Sequence, residues 1–465
     1  MNSVIKFIQV GFFLSAFCTH SPSFAQTIAA GDNHSLAICS NGTVTAWGAN
    51  QNGQLGIGTF VDSNVPVQIN SLTDIIAVSA GENHSMALKN NGTVWTWGDN
   101  VEGQLGSGNF TTRNVPGQIS NLTGVIAIAA GGYHSMAIKN DGTVWAWGWN
   151  NRGQLGDGTN TKSNVPILVS ALSTFNIITI AAGGEHSLAL RLNGQVFAWG
   201  RNNSGQLGNS TNANSNIPVQ VGIANISAIA AGGIHSLAMK SDGSVLAWGG
   251  NSSGQLGDNT TTSSNFPVQV NSLPSAIRIA ACGSHSVAVK NGGTVVAWGS
   301  NGNGQIGNGT NTDNNVPVSV IGLTGAIAIS GGNGHSIALK SDGSIRAWGL
   351  NGSGQLGNGL LSSSNVPVAL TGGCSVLTGI KDIAEPIDIS AFPNPSNGKF
   401  TITLPGGMMR SSVEIYNLLG EKLTPFSYFT SDSSLELDLS PFPKGIYFLR
   451  FSDKTKVYSK KIVVN

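Results

Sequence analysis

Charged residues are only 10% of this 465-residue chain, and they nearly cancel: 23 Lys and Arg against 22 Asp and Glu leave a net charge of +1. No polybasic run occurs, so no extended positive field is available to hold nucleic acid or an anionic membrane. Beyond the N-terminus no apolar stretch is long enough to span a bilayer as a helix, so no transmembrane helix is expected in the mature chain. Apolar residues at helical spacing are missing too, which excludes a helical solenoid. Cysteine is scarce, with four residues. Glycine is not: its 63 residues suit a β-rich chain with many tight turns, where positive φ carries no steric penalty.

Residues 1–25 read as a signal peptide. Lys6 precedes an apolar core over residues 7–18, and Ser23-Phe24-Ala25 places small residues for cleavage after Ala25. Phe17, in front of Cys18, stands where a lipidated cysteine needs a small neighbour. With Cys18 removed, Cys39, Cys282 and Cys374 remain. In an exported chain this odd number leaves one thiol free once a disulfide forms. Cys282 replaces a glycine in an apolar segment and reads as a buried filler. A Cys39–Cys374 bond would join the two ends of the region described next.

That region repeats one phrase seven times. The histidines His34, His84, His134, His186, His235, His285 and His335 are 50, 50, 52, 49, 50 and 50 residues apart. Thirteen residues behind each comes a tryptophan: Trp47, Trp97, Trp147, Trp199, Trp248, Trp298 and Trp348. Such a period means equivalent units in a stack or ring. In the unit 77–125, strands are expected over 77–80, 84–89, 93–97 and 115–119, with an Asn91-Gly92 hairpin between the second and third. Pro116 sends the fourth strand to an edge. Four short strands in each of seven units predict an all-β, seven-bladed propeller over residues 26–371, closed so that no blade edge is left open. Closure is expected to bring residues 366–370 into the blade that contains Ile28. After a linker at 372–386, alternating strands over 387–465 suggest a small β-sandwich.

The repeats resemble the regulator of chromosome condensation repeat family, on Gly-Thr-Val-Trp-Ala-Trp-Gly (142–148), Gly-Gln-Leu-Gly (153–156) and Ala-Ala-Gly-Gly-Glu-His-Ser-Leu-Ala-Leu (181–190). The resemblance implies a seven-bladed propeller and leaves the role open, since such propellers serve as exchange factors, scaffolds and enzyme inhibitors. The tail resembles the C-terminal sorting domain of type IX secretion substrates, through Pro393-Asn394-Pro395, Ile415-Tyr416-Asn417 with Gly420, Gly445-Ile446-Tyr447 and the Lys-Lys-Ile-Val-Val end. It implies export through the type IX machinery, then release or surface attachment. Guanine-nucleotide exchange does not suit an exported chain.

The repeated residues read as structure. Seven histidines in register do not make a tetrahedral metal site, so each His-Ser is expected to fix its own blade by hydrogen bonds. The tryptophans read as packing between blades. Gly-Gln-Leu-Gly lacks the lysine and following helix of a phosphate loop. The Asx-Gly turns lack a carboxylate series for calcium. No Gly-x-Ser-x-Gly marks a nucleophile. No cofactor and no catalysis are expected, although acids from different blades can converge at a ring centre.

Binding residues are therefore sought where the units differ. The residue before each histidine and the residue after each Trp-Gly vary, and large or charged choices gather in repeats two to four: Asp99, Glu102, Tyr133, Trp149, Arg152, Glu185 and Arg201. Loop positions escape packing constraints, and Trp, Tyr and Arg are enriched in interaction hot spots. The expected role is non-catalytic binding of an extracellular protein. A glycan-binding adhesin is the alternative, and a hydrolase with acids at the ring centre is a third reading.

Overall fold

The computed structural model describes residues 27–374 and 376, and in the C-terminal segment 390–394, 396–403, 412–417, 422–423, 426–431, 434–442, 445–452 and 457–464. The expected signal peptide and most of the expected linker lie outside the described residues. The described chain is β-structure apart from one 3-10 turn at Ser170–Leu172. Among the described residues, no helix is long and apolar enough to cross a membrane. Two compact units divide at Gly379.

The first unit is a seven-bladed propeller, each blade one four-stranded antiparallel sheet in sequence order. Blade 2 comprises Ile75–Ala80, His84–Lys89, Val94–Gly98 and Arg113–Gln118. The first strand starts two residues before the expected one because the register slips between Ile75 and Ala77, a bulge invisible in the apolar pattern. Pro116 does lie on the outermost strand. One expectation fails. Ser364–Ala369 pairs with Ile345–Gly349 in its own blade, and blade 1 is built from its own four strands. The ring closes without exchanging a strand.

What joins the blades is a side-chain junction. His34 Nε2 lies 2.9 Å from Ser85 Oγ of the next blade. Ser85 Oγ donates to the carbonyl of Gln54 at 2.8 Å, and Trp97 Nε1 donates to the same oxygen at 2.8 Å. The serine proton is therefore committed, so Nε2 carries the histidine proton and donates to Ser85. The same set recurs at every junction, from His84–Ser135 through His285–Ser336. At the seam, His335 meets Ser35 at 2.9 Å, and Ser35 and Trp47 both donate to the Gln355 carbonyl. The expectation that each His-Ser fixes its own blade is thus corrected, because the bond runs to the neighbour. Burial pushes the seven imidazoles down to about 3 or about 4, so they stay neutral.

Each of the seven repeat tryptophans is fully buried and packs into the core of the preceding blade, as Trp97 does against Leu36, Ile38, Val44 and Leu55. Gly56 shows how tight this is: its φ is +72°, and a Cβ there would lie 2.7 Å from Trp97 Nε1. A disulfide joins Cys39 and Cys374, whose Cα atoms are 5.6 Å apart, and Val376 bridges to Cys39 beside it. Cys282 is a buried free thiol. It faces Gly331, where a Cβ would collide with its Sγ; blade 7 has glycine where all six other blades have alanine.

The second unit holds two four-stranded sheets. Phe400, Ile402, Leu435 and Leu437 from one share a core with Ile415, Leu449 and Ile462 from the other, which makes a small sandwich. Asn394 Oδ1 accepts a hydrogen bond from the Val463 amide, tying Asn394 to the last strand.

Candidate functional site

Register decides which loops share a face. In every blade the histidine opening the second strand pairs with the glycine closing the third, as His34 with Gly48 and His134 with Gly148. The turn before the second strand and the long loop after the third therefore leave from the same end. The two variable positions are also bonded to each other through the backbone. The Trp149 amide donates to the Tyr133 carbonyl at 2.8 Å, and the Arg201 amide to the Glu185 carbonyl at 2.9 Å.

Five of the seven candidate residues come together on this face. The rings of Tyr133 and Trp149 meet edge-to-face with centroids 6.1 Å apart. Arg201 Nη1 lies 3.1 Å from Glu185 Oε2, and Arg152 Nε lies 3.7 Å from the same oxygen. Asp99 and Glu102 lie in the blade 2 loop, where the Asp99 charge helps to keep the Tyr133 hydroxyl protonated. Asp99 is only 6% exposed and accepts from Gln104 Nε2 at 3.0 Å, so it braces its own loop. Glu102 pairs with Lys162 at 3.2 Å, and Lys162 also lies over the Phe110 ring.

The first strands of the blades surround a central cavity of about 660 Å³. Tyr133, Glu185 and Arg201 line it, together with two acids the sequence reading passed over, Asp32 and Glu82. The Tyr133 hydroxyl donates to Glu82 Oε1. Burial, with Glu82 nearby, pushes the Asp32 carboxyl up to about 7. Burial and the bond to Glu82 hold the Tyr133 hydroxyl above the usual phenol range. A signal for the two acids existed: two positions before the histidines, carboxylates fall in adjacent blades 1 and 2. The two acids line the same cavity and act on each other electrostatically.

Sequence reading also missed the buried asparagines. Asn50 Oδ1 accepts from the Leu55 amide while its Nδ2 donates to the carbonyls of Thr59 and Val61, closing the long loop on itself. Asn100, Asn150, Asn202, Asn251, Asn301 and Asn351 do the same in their own blades. Each follows Trp-Gly-x, a fixed place that marks structure.

Closed ring, shared junction and one variable loop face define a propeller scaffold whose individuality lies in its loops. The RCC1-like domain family matches residues 14–271 and 159–384, and the chain belongs to that family. A secretion system C-terminal sorting domain matches residues 390–465, which marks the chain for type IX export to the surface or the medium.

Among curated proteins, the ultraviolet-B receptor UVR8 of Arabidopsis thaliana is 52% identical over 48 residues, 10% of this chain and 11% of the receptor. The probable E3 ubiquitin-protein ligase HERC3 of Homo sapiens is 47% identical over 53 residues, 11% of this chain and 5% of the ligase. The chain thus matches only about a tenth or less of these relatives' length. Among solved structures, Prp20p from Saccharomyces cerevisiae superposes with a TM-score of 0.64 at 22% identity, over 74% of this chain and 87% of that one. Human WBSCR16 gives 0.61 at 26% identity, over 67% and 85%. These likenesses speak to the fold.

Proposed function

We propose that the chain is an exported, non-catalytic interaction module that binds an extracellular protein through the loop face of blades 2 to 4. The observation that carries this reading is the convergence of Tyr133, Trp149, Arg152, Glu185 and Arg201 on that face. Glu185 holds two arginines and Tyr133 leans on Trp149, so these side chains are partly ordered before a partner arrives. Prior ordering lowers the entropic cost of binding. Asp99 and Glu102 shape the neighbouring loop. Residues 1–25 are the inner-membrane export signal, residues 26–371 the propeller, residues 372–386 a linker, and residues 387–465 the sorting domain that engages the type IX machinery.

The test is capture of surface and extracellular proteins, in parallel with a glycan array, using residues 26–465 and a Tyr133→Ala/Trp149→Ala/Arg201→Ala variant. A protein partner lost in the variant while thermal stability is kept supports the reading. A carbohydrate hit lost in the same variant makes the face lectin-like. Turnover of glycan, ester or peptide substrates, abolished by Glu82→Gln, would replace both with a hydrolase.

A further inference from the structure

The long loops have the same plan in all seven blades, yet three differ at the tip. Six residues after the Gln of Gly-Gln-Leu/Ile-Gly stand Phe60, Phe110 and Leu361 in blades 1, 2 and 7. The same place holds Asn160, Asn212, Thr261 and Asn311 in blades 3 to 6. The apolar residues are 52%, 47% and 59% exposed, and Val61 and Leu360 beside them 71% and 57%. Folding does not require them, because four blades build the same loop with Asn or Thr. Blades 7, 1 and 2 are consecutive around the ring across the seam, and their loops are linked to the next blade, as Asn64 Nδ2 is to the Gly359 carbonyl at 2.9 Å. Exposed apolar side chains in a contiguous arc mark a contact surface, whereas scattered ones do not.

A second, unrelated position divides the ring in the same way. Two residues before the histidine, blades 3 to 6 have Gly132, Gly184, Gly233 and Gly283, while blades 7, 1 and 2 have Asn333, Asp32 and Glu82. All three of these polar side chains belong to residues lining the central cavity. Among the described ion pairs, neither Asp32 nor Glu82 has a cationic partner. The inner turns of this sector thus present two neighbouring carboxyl groups, which an entering cation would hold ionised, and the outer loops of the same sector present apolar surface.

We propose that the sector formed by blades 7, 1 and 2 is a docking surface for a protein segment that carries a lysine or arginine flanked by apolar residues. The cation enters the cavity mouth at Asp32 and Glu82, and the apolar side chains lie on Phe60, Phe110 and Leu361. Charge complementarity selects the cation. Size selects a polypeptide, since three strand spacings separate the inner turn from the outer strand, about 15 Å, farther than a small amine reaches. This surface does not depend on the aromatic and arginine patch of blades 3 and 4, although the Tyr133–Glu82 bond joins the two.

The molecule itself supplies the test variants. Phe60→Asn/Phe110→Asn/Leu361→Asn copies blades 3, 4 and 6, and Asp32→Asn/Glu82→Gln removes the charge, with Asn already present in blade 7. A phage-displayed random peptide library is selected on the full exported chain, and selected peptides are titrated against each variant. The expected result is enrichment of Lys or Arg between apolar residues, with affinity falling on the order of tenfold or more in each variant and melting temperature kept. Acidic or charge-free peptides, or no selection above background, would overturn the proposal. So would peptides unaffected by both variants and lost only on Tyr133→Ala/Trp149→Ala/Arg201→Ala, a result that leaves the blade 2 to 4 reading standing.

Discussion

In each blade the junction histidine and the residue in front of it are neighbours in the chain, and they obey opposite rules. The histidine is the same seven times and is fully buried, bonded to the next blade. The residue before it is Asn33, Asn83, Tyr133, Glu185, Ile234, Ser284 or Gly334. The chain crosses in one step from a position where seven interfaces must be alike to one where the side chain differs from blade to blade, bonding the neighbouring blade at Asn33, Asn83 and Tyr133 and offering no polar side-chain group at Ile234 and Gly334. Regularity here measures contact between blades, and variation measures freedom to recognise something else.

The largest effect should come from acid. A histidine free in the unfolded chain titrates near 6.5, but the seven junction imidazoles bind a proton only at about 3 or about 4. Between those values the unfolded state holds more protons, so the stability given by the neutral rings is complete above about 6.5 and is lost as pH falls toward their folded values. Each ring contributes up to about 1.4 kcal/mol per pH unit, and the seven act together. Asp32, raised to about 7, works in the other direction between its unfolded value near 3.8 and that point, but it is one group against seven. Urea denaturation at pH 7, 6, 5 and 4 should show a steep fall. A flat profile would mean that the histidines are not the buried neutral donors described.

Next in size is loss of a junction tryptophan. Trp147→Ala empties a fully buried site between blades and removes the bond to the Gln104 carbonyl, for a loss of about 4 kcal/mol. Trp47→Ala, at the seam, should lose about the same, because the bond to Gln355 is equivalent. Unequal losses in chemical denaturation would show that the seam is not a seventh copy of one junction. The disulfide is what the seam has in addition. Cys39→Ser/Cys374→Ser opens a closure of 335 residues and should lower stability by about 3 kcal/mol without opening the ring, since His335, Ser35, Gln355 and Trp47 still join the blades. Calorimetry with and without reductant checks it. A reduced chain that unfolds in several steps would mean that the covalent bond, not the junction, closes the propeller.

The propeller was legible in the sequence because its signals are local and repeated: the 50-residue step, the Asn-Gly hairpins, and tryptophan at a fixed distance behind histidine. The partner of each histidine was not, because His-Ser is a dipeptide and invites a bond within the blade. Only the ring geometry shows that His34 reaches Ser85. Strand exchange at closure was expected for want of any sign that Ile28–Ala30 already completes blade 1. Looking for variation drew in Tyr133, Trp149, Arg152, Glu185 and Arg201, which lie on one face, and also Asp99, which is buried and accepts a hydrogen bond within its own loop. Asp32 and Glu82 escaped because one charged residue in a turn looks solvated. Their adjacency exists only once blades 1 and 2 stand side by side around a cavity.

The smallest predicted effect tests the other side of the division. Arg201 and Glu185 form a pair whose side chains are 31% and 25% exposed, and Glu185 also reaches Arg152. If the face is free of structural duty, a double-mutant cycle of Arg201→Ala and Glu185→Ala should give a coupling to stability of about 0.5 kcal/mol, in the range of partly exposed ion pairs after solvent screening. The coupling should shrink further in high salt. A value near that of a buried junction would place these two residues among the parts that hold the ring together, and their variation from blade to blade would then reflect local repair of the scaffold and not recognition.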